Sequence, residues 1–428
     1  MNIAMFTNTF IPHVGGVANS VKAFTDEYRR LGHRVLVVAP VFENTPQDEK
    51  DVIRVRAIQN FNGSDFSVSL AIPLVLSKKM ELFQADIIHS HHPYLLGDTA
   101  LRTAASLNIP LVFTHHTMYE QYTHYVPGDS PRLRHFVIEL STGYANLCDQ
   151  VIAPSESVAA ILTGRGVKTP ISVIPTGVDI ERFGQGNGPL FRADMGIPAD
   201  ALVIGYVGRL AAEKNLEFWA EAVAGFIRQS PTSHALVVGS GPAQTKIEEV
   251  FINAEVRERL HVTGALVGSR LADAYQAMDI FAFTSKSETQ GMVLLEAMAA
   301  GVPVVALDAP GVHEVVRDGE NGRLIGEEKI ELFIQAISSI TSLEPQKRRS
   351  LIEAARSTAR EFSTAKSADK ALALYRHLLL DRARTTAGPE QHKAWAAILR
   401  RIEEEWSIWS NRLSAAGKAV LGGKESGQ

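Results

Sequence analysis

Two carboxylates, Glu288 and Glu296, stand eight positions apart in KSETQGMVLLEAMAAG, residues 286–301, among mostly apolar neighbours. From Met292 onward the residues are good helix formers with no β-branched run. The sequence therefore predicts a helix beginning near Gly291, with Glu296 about two turns in. Glu288 then falls in the loop after a short apolar strand, DIFAFT, at the strand's carboxyl end, where open α/β sheets bind ligands. Taken singly, Glu288 reads as a residue favouring a helix N-terminus and Glu296 as one on a solvated face, a reading only the rest of the chain can overturn.

Two further stretches could act on an anion. FTNTFIPHVGGVANSVKAF, residues 6–24, leads from the first strand into a helix. Gly15 and Gly16 lack Cβ, so a ligand can approach the backbone, and the helix-terminal amides carry partial positive charge. Such a site suits a phosphate, although a GG pair is also a common tight turn. YVGRLAAEKN, residues 206–215, sets Arg209 and Lys214 at another strand-to-helix junction. The two cations suit a diphosphate, Arg by forked hydrogen bonds and Lys as a point charge, whereas in isolation they would read as surface residues. No Asp-x-Asp occurs, so the expected metal complement is none and leaving-group charge would fall to protein cations and helix dipoles. Absence of GxxxxGK[ST] disfavours a P-loop nucleotidase, and absence of G-x-G-x-x-G after the first strand disfavours an NAD-linked oxidoreductase.

Histidines concentrate in HSHHP, residues 89–93, and THHTMYEQYTHY, residues 114–125. A metal cluster is one reading. Against it, consecutive residues of an extended chain point to opposite faces, and no HExxH or Cys/His pairing is present. The alternative is that a histidine donates to a substrate hydroxyl or phosphate.

These residues need a scaffold. Apolar runs at 2–6, 34–39, 86–89, 111–114, 150–153 and 172–174 recur at spacings that suit βαβ crossovers, and the pattern restarts at 202–207, 235–238, 261–263, 280–283, 304–307 and 322–325. Two doubly wound α/β domains facing across a cleft follow. The expected boundaries are 1–179 for the first domain, 180–362 for the second, 363–380 for a crossover helix and 381–428 for a helical tail. Within them, 180–201, with Gly184, Gly186, Gly188 and Pro189, reads as the linker. In the tail Trp395, Leu399, Ile402, Trp406, Trp409 and Leu413 form an a/d seam. Docking on its own domain is the plain reading of that helix; a homodimer seam and a membrane-interface anchor are the alternatives.

Bulk properties narrow the class. With 428 residues, 45% hydrophobic and 21% charged, the chain suits a globular protein of two or three domains. A net charge of -4 gives no electrostatic case for nucleic acid. The single cysteine, Cys148, allows no intrachain disulfide and fits a reducing compartment. The first strand starts at residue 2, and no apolar run approaches the roughly 18 residues of a spanning helix, so no secretory signal or integral insertion is expected.

Taken in order, GGV, GRLAAEKN, ETQGMVLLEAMAAGVPVVA and PGVHEVVRDGENG give a chain that resembles the retaining glycosyltransferases of family 4, with the GT-B fold. The likeness spans about residues 1 to 380. It implies that Glu288 contacts donor-sugar hydroxyls, Glu296 binds the ribose, and Arg209 and Lys214 hold the diphosphate. It further implies that Gly16, beside Gly15, touches the diphosphate, and that His116 of the T-x-H-T stretch lies against the sugar. Amides of Gly291, Met292 and Val293 would complete the phosphate cradle. The implied activity moves a hexose, expected to be glucose, from a UDP-sugar, a substrate and not a cofactor. FTHHTMYEQYTHYVP looks like bacterial enzymes that glucosylate diacylglycerol at the cytoplasmic face of the membrane. That implies a lipid acceptor at a membrane surface, with a soluble sugar, a polysaccharide precursor or a non-catalytic assembly role as alternatives. In one respect the chain departs from those enzymes: residues 1–180 are not net basic. Arg132 and Arg134 with Leu133, Phe136, Val137 and Leu140 could form a docking helix or an ordinary surface helix.

Overall fold

Continuous short runs of Val, Ile, Leu, Phe and Ala, flanked by helix-forming stretches, favour strands covered on both faces. The computed structural model describes residues 1–13, 15–58, 68–69, 73–121, 130–286 and 288–385. It divides into two units, Met1–Pro175 with the chain from Ser367 on, and Thr176–Lys366. The Trp-rich seam of the tail lies outside the described residues.

In the first unit the strands are β1 (Asn2–Phe6), β2 (Arg34–Pro40), β3 (Val52–Val55), the short antiparallel pair β4 (Ala57–Ile58) and β5 (Val68–Ser69), then β6 (Ile87–Ser90), β7 (Leu111–Thr114), β8 (Gln150–Ala153) and β9 (Ile171–Val173). Seven of them form one parallel sheet in the order β3-β2-β1-β6-β7-β8-β9. Successive residues of β1 feed opposite cores, as the pleat requires. Ile3 and Met5 join Tyr28 of helix Gly16–Arg30 and Tyr375 of helix Thr364–Thr385; Ala4 and Phe6 join Leu101 and Tyr144 on the other face. The sequence reading missed β3, an edge strand whose apolar run VIRV is broken by the half-buried Arg54.

The second unit holds β10 (Leu202–Val207), β11 (Ser233–Val238), β12 (Leu260–Val262), β13 (Ile280–Phe283), β14 (Val304–Leu307) and β15 (Gly322–Ile325), all parallel, in the order β12-β11-β10-β13-β14-β15. Counted within each unit along its sheet, the first six strands run 3-2-1-4-5-6 in both. The order reverses between β1 and β6 in one sheet and between β10 and β13 in the other, the crevice where doubly wound folds take ligands.

One expectation is corrected here. Residues 180–201 are not a linker: helices Ile180–Gly184 and Gly188–Asp194 pack on helix Gly268–Gln276, burying Phe183 and Phe191 in the second unit's core. Its glycines mark close packing, since a Cβ on Gly186 or Gly188 would run into the carbonyls of Ala272 or Gln276. Helix Pro131–Ala145 exists as expected, with Ser130 accepting from Leu133 N at its start; Arg132 and Arg134 are exposed while Phe136, Val137 and Leu140 are half-buried. Among the described residues no helix is long and apolar enough to cross a membrane.

Candidate functional site

At the reversal point of the second unit, the loop after β10 carries Arg209 and Lys214 and the loop after β13 carries Glu288. Lys214 Nζ donates to Glu288 Oε1 at 2.6 Å, and the two side chains are only 15% and 16% exposed. Water screens such a pair far less than a surface one. Arg209 pairs with Glu213 and is the more open of the two cations. The cations expected to meet a diphosphate are therefore each held by a carboxylate in this state. The Arg209 loop is braced from β11, with Gly208 N donating to Val238 O and Leu210 N to Ser240 O at 3.0 and 2.9 Å. The end of β11 and the GSGP loop after it thus support the site, a role the sequence reading missed; the run of small residues directly after a strand was its signal.

Helix Met292–Ala299 begins where Gly291 was expected to cap it. Gly291 sits at φ 68, a left-handed conformation that favours glycine. No side chain caps this helix and its first turn holds no acid, so the amides of Met292 and Val293 start a terminus receptive to an anion. Glu296 is the fifth helical residue, one turn in and not two. Its Oε2 accepts from the Tyr275 hydroxyl at 2.7 Å. Burial raises the Glu296 carboxyl to about 7, with the Tyr275 hydrogen bond and the Arg182 charge acting in the opposite sense. Two residues that sequence reasoning passed over hold the Glu288 loop. Buried Gln290 bridges Thr176 with both amide atoms, accepting from its N and donating to its O, each at 2.6 Å. Gly311, at φ 75, lies so close that a Cβ would stand 2.8 Å from Gln290 N and 3.0 Å from Glu288 O. PGVHEVV is therefore the buttress of the Glu288 loop.

The first unit builds its reversal point from different chemistry. Helix Gly16–Arg30 starts at extended Gly15, again with no side-chain cap and no acid in its first turn. Beside it, buried Asn8 donates from its N to His92 Nδ1 at 3.1 Å, donates from Nδ2 to Tyr94 O at 3.0 Å and accepts from Leu96 N at 3.1 Å. Asn8 was not singled out in the sequence, and only its place two residues after β1 hinted at it. The histidines cluster at the ends of β6 and β7, adjacent strands as expected. His91 Nδ1 and His116 Nε2 lie 2.9 Å apart; His89 bridges Thr114 Oγ1 at 2.7 Å and the Tyr375 hydroxyl at 2.6 Å. Burial depresses His89 and His92 to about 3 and His115 to about 4, so the cluster is neutral near pH 7. Among the described residues no group of three His, Cys, Asp or Glu side chains is placed to hold a metal ion.

Two parallel sheets of the order 3-2-1-4-5-6 in one chain fit a GT-B architecture. Residues 14–182 match the family model described as Glycosyltransferase Family 4, and residues 189–358 match Glycosyl transferases group 1. The chain is 31% identical to an alpha-monoglucosyldiacylglycerol synthase of Streptococcus pneumoniae, over 76% of this chain and 75% of that one. It is 30% identical to a GDP-mannose-dependent alpha-mannosyltransferase of Mycolicibacterium smegmatis, over 83% and 92%. A sucrose-phosphate synthase from Thermosynechococcus elongatus shares the fold, with a TM-score of 0.70 at 21% identity, covering 89% of this chain and 99% of that one. Anabaena HepE, solved with UDP and glucose, superposes with a TM-score of 0.67 at 21% identity, over 87% and 98%. The chain belongs to glycosyltransferase family 4.

Proposed function

We propose that this glycosyltransferase moves glucose from UDP-glucose to a hydroxyl of diacylglycerol or a related membrane glycolipid, with retention at the anomeric carbon and without a divalent metal. The Lys214–Glu288 pair beside the amide end of helix Met292–Ala299 is the observation that carries the reading. Lys214, Arg209 and the amides of Gly291, Met292 and Val293 take the diphosphate, releasing Glu288 to the sugar hydroxyls, while Glu296 accepts from the ribose. By family likeness Gly15 and Gly16 are assigned to the diphosphate, His116 to the sugar and the first unit to acceptor binding. The acceptor oxygen bonds to the anomeric carbon on the face the diphosphate leaves, the carbon–oxygen bond to phosphate breaks, and the acceptor proton passes to the departing phosphate oxygen. Likeness to the Streptococcus pneumoniae synthase supports the lipid acceptor and, with it, work at a membrane surface.

A second reading, a GDP-mannose donor, is favoured by the match to 92% of the Mycolicibacterium smegmatis enzyme. A screen of UDP- and GDP-sugars with detergent-dispersed diacylglycerol and soluble sugars, read by nucleotide release and product anomer, decides between them. Glu288→Ala should lower turnover about 100-fold or more, as removal of one preorganised polar group does, while UDP affinity changes little. Unchanged turnover rejects the role given to Glu288.

A further inference from the structure

His91 leaves β6 and His116 leaves β7, and their rings stack with centroids 5.2 Å apart and planes 24° from parallel. The 2.9 Å separation of His91 Nδ1 and His116 Nε2 holds one shared proton, and geometry alone allows either ring to supply it. The other nitrogen of His91 decides. His91 Nε2 is buried and has no hydrogen-bond partner among the described residues. If His116 were the donor, His91 would carry its own proton on Nε2, a buried N–H directed at nothing. With the proton on His91 Nδ1, Nε2 is a bare lone pair, the less costly of the two orphans. Burial pushes both rings far below the ordinary histidine range, so each carries a single proton.

We propose that His91 is a positioning residue: its Nδ1–H donates to His116 Nε2 and thereby fixes the proton of His116 on Nδ1. His116 then meets its ligand as a hydrogen-bond donor and not as a base, which leaves the acceptor proton to the departing phosphate. The plane of His91 is set from behind. His89 packs against it at 4.1 Å between centroids, and His89 is itself pinned by Thr114 and by Tyr375 of helix Thr364–Thr385. Through these contacts the C-terminal helix, remote in sequence from β6 and β7, orients a residue of the site.

This inference rests on the role proposed for His116, and its test separates the two. Full-length His91→Asn, His91→Gln and His91→Phe are compared for kcat and KM with UDP-glucose and diacylglycerol, for UDP affinity and for Tm. An Asn amide nitrogen lies as many bonds from Cβ as His Nδ1, so His91→Asn should keep kcat within about three-fold, whereas His91→Gln and His91→Phe should lose ten-fold or more with UDP affinity unchanged. Nitrogen-15 NMR of the histidine rings in the unmodified chain should show His116 protonated at Nδ1. An Asn variant as impaired as the Phe variant, or a His116 proton on Nε2, overturns the proposal. If the unmodified chain transfers no sugar from any donor, the functional reading fails, and the NMR result alone then decides the tautomer.

Discussion

The two reversal points share a strand order and differ in kind. Around β1 and β6 the polar groups are buried, neutral imidazoles tied to Asn8, Thr114 and Tyr375. Around β10 and β13 they are ion pairs, Lys214 with Glu288 and Arg209 with Glu213. Each region also offers a helix terminus with no side-chain cap, behind Gly15 in one and Gly291 in the other. Burial without a counter-charge removes charge from a histidine, whereas burial beside a carboxylate preserves it on a lysine. On the proposed reading, positive charge for a diphosphate comes from Arg209 and Lys214 of the second unit, while the described polar groups at the first unit's reversal point are uncharged.

Substitutions should separate along that line. The largest effect is expected for Lys214→Ala, which removes a cation and leaves Glu288 unpaired. Turnover should drop about 100- to 1,000-fold, the usual loss for one preorganised electrostatic contact, and UDP affinity measured by calorimetry should fall with it. A loss of turnover with affinity intact would blur the contrast between units. Next in size is Gly311→Ala, which combines a left-handed φ of 75 with a Cβ contact of 2.8 Å to Gln290 N. It should cost about 1–3 kcal/mol in urea unfolding through strain and overpacking and lower turnover by displacing the Glu288 loop.

The smallest effect is one of pH. Glu296 titrates near 7 in the folded chain because burial opposes its charge. A carboxyl raised in this way favours folding in its neutral form: that relief is complete below the ordinary Glu range and is lost as pH rises through about 7. Stability should therefore fall between pH 5 and 8 more steeply in the unmodified chain than in Glu296→Gln. Over the same interval nucleotide affinity should rise a few-fold as the carboxylate forms and accepts from the ribose, a rise that Glu296→Gln should lack.

Much of this was legible in the sequence because a doubly wound sheet writes itself as apolar runs. β1, β7, β8, β10, β13, β14 and β15 stand at the residues the pattern gave. β3 escaped because Arg54 interrupts its four-residue apolar run, VIRV. Segment 180–201 misled because its glycines look the same in sequence whether a chain needs freedom or needs to pass close to a carbonyl. In the site, charge was visible but its pairing was not: the Lys214–Glu288 contact joins residues 74 positions apart, and only the adjacency of β10 and β13 brings them together. The histidine pairs were equally hidden, since nothing in HSHHP says which ring faces THHT.

Titration of the full chain with UDP and with UMP in the presence of a chelator asks whether the cations and uncapped amides of the second unit grip a diphosphate unaided. UDP should bind at least ten-fold more tightly than UMP, with no change when magnesium or manganese replaces the chelator. Equal affinity for the two nucleotides, or UDP binding that appears only with the metal, would contradict it.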